Sequence, residues 1–184
     1  MTDVVRLTLV SHAMTDAMAA GRFPADEPLN DGGRRQAGAA AGLDINRATR
    51  QLAAPERRAR LTAELLGLQA GVEPQLADLD YGRWRGEALG GVGAERLEAW
   101  RADPTQAPPG GESIVALIDR VARWLDSLTF NALRTAAVTH PAVIRAAMVA
   151  ILDAPPESFW RIDIAPLNRT VMHFRGQAWT LRSN

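Results

Sequence analysis

At 184 residues the chain is long enough for one domain with a sizeable core and short for two. Its 21 basic residues are all arginine and balance 21 acidic ones, with no basic stripe along the sequence, so nucleic-acid binding is not expected. The absence of cysteine excludes a disulfide, a thiolate metal site and a cysteine nucleophile.

Residues 4–10, VVRLTLV, are apolar and β-branched apart from Arg6 and Thr8, which suits a strand buried on both faces. The strand ends at Ser11-His12. A short helix is predicted over 13–21, closed by Gly21, and FPADEPLNDGG then reads as a loop. Asn30 or Asp31 caps a helix running to about Ala41. Residues 48–53 predict a second, weaker strand. Pro55 opens a helix, PERRARLTAELLG, that stops at Gly67.

Residues 93–102 read as an amphipathic helix, and DPTQAPPGGE as a loop. In SIVALIDRVARWLDSL, residues Ile114, Leu117, Ile118, Val121, Trp124, Leu125 and Leu128 recur at helical spacing and mark a buried face. Residues 134–139 predict a strand that runs into His140, and Pro141 starts a helix to about Asp153. The tail predicts two or three strands with a turn at Arg175-Gly176. Strands alternating with helices imply an α/β fold: a three-layer, open, mostly parallel sheet with helices on both faces, in one domain over 1–184.

His12 and His140 share a context, each following a strand and preceding a helix. In open α/β sheets, ligands bind at the carboxyl ends of the strands, so neighbouring strands would bring the two rings together. His173 lies in an alternating terminal strand and reads as structural. The spacing of His12, His140 and Asp78 offers no metal-ligand pattern. PPGGES has glycines but no lysine for a nucleotide loop, and its acid and serine suit a helix cap. Trp100, Trp124 and Trp179 read as core residues, whereas Trp160 fits either core or pocket.

Six segments resemble motifs of the histidine phosphatase, or phosphoglycerate mutase-like, superfamily. LVSHAMT stands against L-V-R-H-G-x-T, PLNDGGRRQA against P-L-T-x-x-G-x-x-Q-A, and APERRARLTA against S-P-x-x-R-A-x-x-T-A. LADLDYGRWRG is similar to L-x-E-x-x-F-G-x-W-E-G, PPGGES is present whole, and VTHPAVIRA stands against V-S-H-G-x-V-I-R-A. Each is weak alone; six in order across nearly the whole chain are specific. The compact length resembles the alpha-ribazole and broad-specificity phosphatase branch.

The resemblance implies a phosphoglycerate mutase-like fold and hydrolysis of a small phosphorylated metabolite through a phosphohistidine, with no cofactor. It makes His12 the nucleophile, Arg58 a phosphate clamp, His140 a further donor and Asp78 the acid that serves the leaving group and then water. Asp80 is a nearby substitute for Asp78. Thr15 and Ser11 would offer hydroxyls to the substrate, and Arg22, Arg83 and Trp84 would border it. Three departures matter: Ser11 replaces a phosphate arginine, and Ala13 and Pro141 replace glycines that follow the two histidines. Losing one preorganised donor costs ~10²–10³ in rate. Either another arginine fills the gap, with Arg22, Arg35, Arg83 and Arg145 as candidates, or the protein is an impaired relative that binds an anionic ligand. A mutase is the third option, disfavoured by the compact length. No signal pattern opens the chain and no apolar run reaches ~18 residues, so a cytoplasmic protein without membrane association is expected. The terminal strands leave a homodimer open.

Overall fold

A computed structural model describes residues 4–42, 44–130 and 133–183. In chain order the elements are β1 (Val5–Ser11), α1 (Asp16–Ala19), α2 (Asp31–Ala39), β2 (Arg50–Ala53), α3 (Arg57–Leu65), β3 (Gly71–Val72), α4 (Leu89–Val92), α5 (Ala94–Ala102), α6 (Ile114–Leu128), β4 (Arg134–Thr139), α7 (Pro141–Ile151), β5 (Arg169–Arg175) and β6 (Ala178–Arg182). The six strands form one sheet in the order β3-β2-β4-β1-β5-β6. The first four run parallel; β5 runs antiparallel to both its neighbours, β1 and β6.

Crossovers between parallel strands are right-handed, so their direction across the sheet decides the face they cover. The chain moves from β1 outward through β2 to β3, which puts α2 and α3 on one face. It then returns to β4, which puts α6, packed against α7, on the other. Leu7 and Leu9 are fully buried in the centre, as is Met172 of β5, and α7 contacts both β1 and β6. On the α2–α3 side the helical cover stops at β1. Arg6, Thr8, Val171, His173 and Arg182 therefore share a sheet face that no helix closes.

Local chemistry explains the boundaries. The Asn30 side chain accepts from Gly33 N and caps α2, and Ser113 accepts from Ala116 N and caps α6. Gly33 is obligatory: a Cβ there would strike the carbonyl oxygen of Met14, so α2 could not approach the loop after β1. Gly82, at φ 51°, holds the 80–82 turn against Pro109 and Gly110 in the same way. Expectation and structure differ in two places. The helix expected over 13–21 is a single turn that begins after Thr15. The helix expected to be amphipathic at 93–102 buries only Trp100, because Trp84 and Trp160 pack around that one ring. Among the described residues, no helix is long and apolar enough to cross a membrane.

Candidate active site

Ser11 and Thr139 are register partners on adjacent parallel strands, so the next residue on each, His12 and His140, leaves the sheet at the same point. His12 N donates to Thr139 O at 2.9 Å, and the ring centroids lie 5.1 Å apart. That is within reach of one phosphoryl group. The N-terminus of α3 brings Arg58 to the same point. Arg58 is 2% exposed, and its Nη2 donates to Asp78 Oδ2 at 2.6 Å. The sequence therefore named four residues that the fold brings together.

His12 Nδ1 lies 2.8 Å from Ala13 O, which fixes the proton on Nδ1 and leaves Nε2 as the free nitrogen. Burial, joined by the positive charges of His140 and Arg58, pushes the His12 pKa from 6.5 to about 3. The imidazole is therefore neutral at physiological pH, the form a nucleophile requires.

Glu56, which the sequence reading passed over, joins the site. Its Oε2 lies 2.7 Å from His140 Nε2, and its Oε1 accepts from Asp78 N at 3.0 Å. Asp78 Oδ2 stands 3.5 Å from His140 Nδ1, so His140 has a carboxylate on each side. Arg58 Nη1 and His140 Nδ1 are buried without a hydrogen-bond partner. Two unpartnered nitrogens beside a nucleophile form a site that an oxyanion would complete.

Burial opposes ionisation of Glu56, but its hydrogen bond to His140, the charge of His140 and the Asp78 N–H together hold its pKa at about 2. A carboxyl lowered on folding stabilises the protein fully above its ordinary value near 4.5 and loses that contribution as pH falls through 2. The effect is on the order of 3 kcal/mol. Glu56→Gln is accordingly expected to lower guanidinium stability at pH 6–7 and to converge with the wild type near pH 2. A difference that stays constant with pH would contradict this account.

A 200 Å³ pocket opens over the site, lined by His12, Arg22, Arg58, Asp78, Arg145 and Trp160 among others. A 290 Å³ cleft continues from it past Glu56, Tyr81 and Arg85, sharing Arg58 and Asp78. His140 is fully buried and lies behind His12 rather than on the wall. Of the arginines proposed to replace the one missing at Ser11, Arg22 and Arg145 reach the pocket. Arg35 and Arg83 are exposed and do not line it. Arg145 is held by a 2.7 Å bond from Nε to Ile162 O and lies over the Phe159 ring. Arg22 Nη1 donates to Gly86 O at 3.3 Å.

Four expected contacts are corrected. The Ser11 hydroxyl donates to Ala165 O and accepts from Asn168 N at 3.0 Å, so it clasps the 165–168 turn instead of facing substrate. Thr15 caps α1 through Met18 N, and its side chain is buried away from the pocket. Arg83 points outward because its backbone N is bound to Pro109 O. Trp84 stands behind Phe23, with ring centroids 5.4 Å apart, and supports the wall without lining it. The rival acid Asp80 is outside the pocket, paired with Arg85 at 2.9 Å. Ser11→Ala would remove both side-chain hydrogen bonds to the 165–168 turn, costing about 0.5–1.5 kcal/mol for each. Its melting temperature should fall while KM for p-nitrophenyl phosphate stays put; the reverse pattern would return Ser11 to the substrate.

Residues 7–184 match the model of the histidine phosphatase superfamily (branch 1). The chain belongs to this superfamily. It is 30% identical over 178 residues to a bifunctional protein of Mycobacterium tuberculosis, a match covering 89% of this chain and 49% of that protein. The chain thus spans about half the length of the first curated relatives it matches. It is 31% identical over 176 residues to a glucosyl-3-phosphoglycerate phosphatase of Mycolicibacterium vanbaalenii, covering 85% of this chain and 78% of that one. Among solved structures, a mycobacterial glucosyl-3-phosphoglycerate phosphatase determined with VO3 superimposes with a TM-score of 0.85 at 27% identity, over 97% of each chain. Relatives and structural neighbours of this histidine phosphatase superfamily member include phosphatases, and one relative, 31% identical over 182 residues, is a 2,3-bisphosphoglycerate-dependent phosphoglycerate mutase of Azorhizobium caulinodans. Among its described residues, no group of three or more His, Cys, Asp or Glu is placed to hold a metal ion.

Proposed function

We propose that the chain is a phosphomonoester hydrolase that works through a phosphohistidine at His12, on a small phosphorylated metabolite whose leaving group carries a further negative charge. The observation that carries this reading is His12 itself: neutral, fixed as the Nδ1–H tautomer, and beside a buried arginine with a spare N–H. In the first step the Nε2 lone pair attacks phosphorus, the P–O bond to the leaving group breaks, and Asp78 passes to the departing oxygen a proton brought in by the phosphomonoester monoanion. In the second, water attacks the phosphohistidine, gives its proton to Asp78 and releases orthophosphate, breaking the P–N bond. Arg58, and His140 Nδ1 from behind His12, stabilise the phosphoryl oxygens in both. Glu56 holds His140 by Nε2 and so presents Nδ1.

Arg145 and Arg22 support the charged leaving group. Both stand on the pocket wall beyond Arg58, with Trp160 beside them. A charge-assisted hydrogen bond contributes about 1.5–3 kcal/mol. Arg145→Ala should therefore raise KM about 10- to 100-fold for a carboxylate-bearing phosphomonoester and leave KM for p-nitrophenyl phosphate nearly unchanged. Equal effects on both substrates would remove Arg145 from leaving-group recognition.

A second reading is favoured by one feature: Arg58 and His140, the two phosphate donors, are each already held by a carboxylate, and Ser11 adds no charge. On that reading the site binds an anion without turning it over. Rapid quenching of enzyme with p-nitrophenyl phosphate separates the two. The hydrolase reading requires turnover and an acid-labile, base-stable phosphoryl group on His12. Orthophosphate binding with neither turnover nor trapped phosphate would establish the binder.

A further inference from the structure

The sheet face left open beside β1 gathers charge that the linear sequence disperses. In the β1–β4 register Arg6 stands opposite Arg134, and in the β1–β5 register Arg6 stands opposite His173. Two residues along β5, Val171 stands opposite Arg182 of β6. Arg6, Arg134, Arg169, His173, Arg175 and Arg182 line one concavity of about 350 Å³. Among the described residues lining it, Asp44 is the single carboxylate, and it is bound to Arg134 at 3.0 Å and Arg47 at 3.3 Å. The chain as a whole is neutral, so this surface carries an excess that the remainder offsets.

Like charges placed directly opposite on neighbouring strands destabilise a sheet. Five arginines around one hollow are an arrangement that an anion would relieve. Their convergence is also felt by His173, whose pKa is lowered by burial and then by Arg182, Arg175 and Arg6, so the ring is neutral at pH 7. Neighbouring strands lie about 4.8 Å apart, so the backbones of β1 and β6 are about 10 Å apart and their arginines reach the hollow from separate points. Five arginine forks present more N–H donors than the oxygens of one phosphoryl group accept, whereas a chain of phosphoryl groups can engage them. Arginine forks suit such oxygens bidentately.

We propose that this face is a second anion site, built for a small molecule carrying two or more linked phosphoryl groups. It is separate from the catalytic pocket: Arg6 and His12 are six residues apart along one extended strand, about 20 Å. The concave shape favours a compact ligand over a polymer, and the proposal stands whether or not the pocket is a hydrolase.

The chain has three histidines, two at the candidate active site and one in this face, so the imidazole signals of histidine-labelled protein report the two sites separately. Inorganic tripolyphosphate is the probe, with orthophosphate at the same ionic strength as comparator and His173→Asn to assign the signal. The expected result is a saturable shift of the His173 resonance with tripolyphosphate and none with orthophosphate. Arg6→Gln and Arg182→Gln should each weaken that titration about tenfold or more, while kcat on p-nitrophenyl phosphate is unchanged. The proposal is overturned if only the His12 and His140 signals respond, or if His173 drifts without saturating as with any salt. It is equally overturned if a single-stranded oligonucleotide saturates His173 and tripolyphosphate does not.

Discussion

His12→Ala is expected to bring hydrolysis of p-nitrophenyl phosphate to background. Removing a covalent nucleophile costs about 10⁶ in kcat where it alone has been deleted, and among the described residues no second imidazole lines the pocket. The substitution is readable because it leaves the surroundings satisfied: His12 Nδ1 bonds its own neighbour, Ala13 O, and no other side chain depends on it for a hydrogen bond. Circular dichroism and orthophosphate binding should therefore remain near wild type. The wild-type pH profile completes the test. With the His12 pKa held at about 3, the neutral form persists across pH 5–8, so protonation of the nucleophile should not limit kcat/KM until well below pH 5. Residual turnover within tenfold of wild type would assign the chemistry to another group.

The second large effect falls on Arg58→Ala, expected to lower kcat/KM about 10²–10³-fold, as for loss of one preorganised donor. It also carries a stability penalty. Asp78, 11% exposed, would keep its charge without its cation, and breaking a buried pair from one side costs about 3–5 kcal/mol. Activity and stability can be separated. Arg58→Ala combined with Asp78→Ala should recover much of the melting temperature and none of the turnover. Arg58→Lys should retain charge yet lose the fork, leaving turnover between the two. If Arg58→Ala lowered the melting temperature but kept kcat/KM within about threefold of wild type, Arg58 would be a structural counter-ion of Asp78 and nothing more.

What was readable in the sequence divides along physical lines. β1, β4 and α6 announced themselves because burial on both faces, or on one helical stripe, writes a period into adjacent residues. His12, Arg58, Asp78 and His140 were legible because each sits in a local motif tied to a strand end or helix start. Glu56 was not. It occupies a variable position of its motif, and its partner His140 lies 84 residues away, so only the meeting of α3 with β4 shows the contact. Ser11 was misread for a related reason. Its direction is set by the 165–168 turn, which no local pattern near residue 11 records. The arginine hollow was invisible because its members come from four strands, and only the pairing register aligns them.

The strand order also bears on how the protein is made. β1, which ends at Ser11, is the first of these six strands to be synthesised, yet both its neighbours, β4 and β5, come from the last third of the sequence. A ribosome adding about 5–20 residues per second needs on the order of ten seconds to travel from Ser11 to Arg134. Throughout that interval Val5, Leu7, Leu9 and Val10 have no sheet to enter. The nascent chain must shield them by local collapse or by a chaperone, and any product terminated before β4 carries an orphaned apolar strand fit only for degradation.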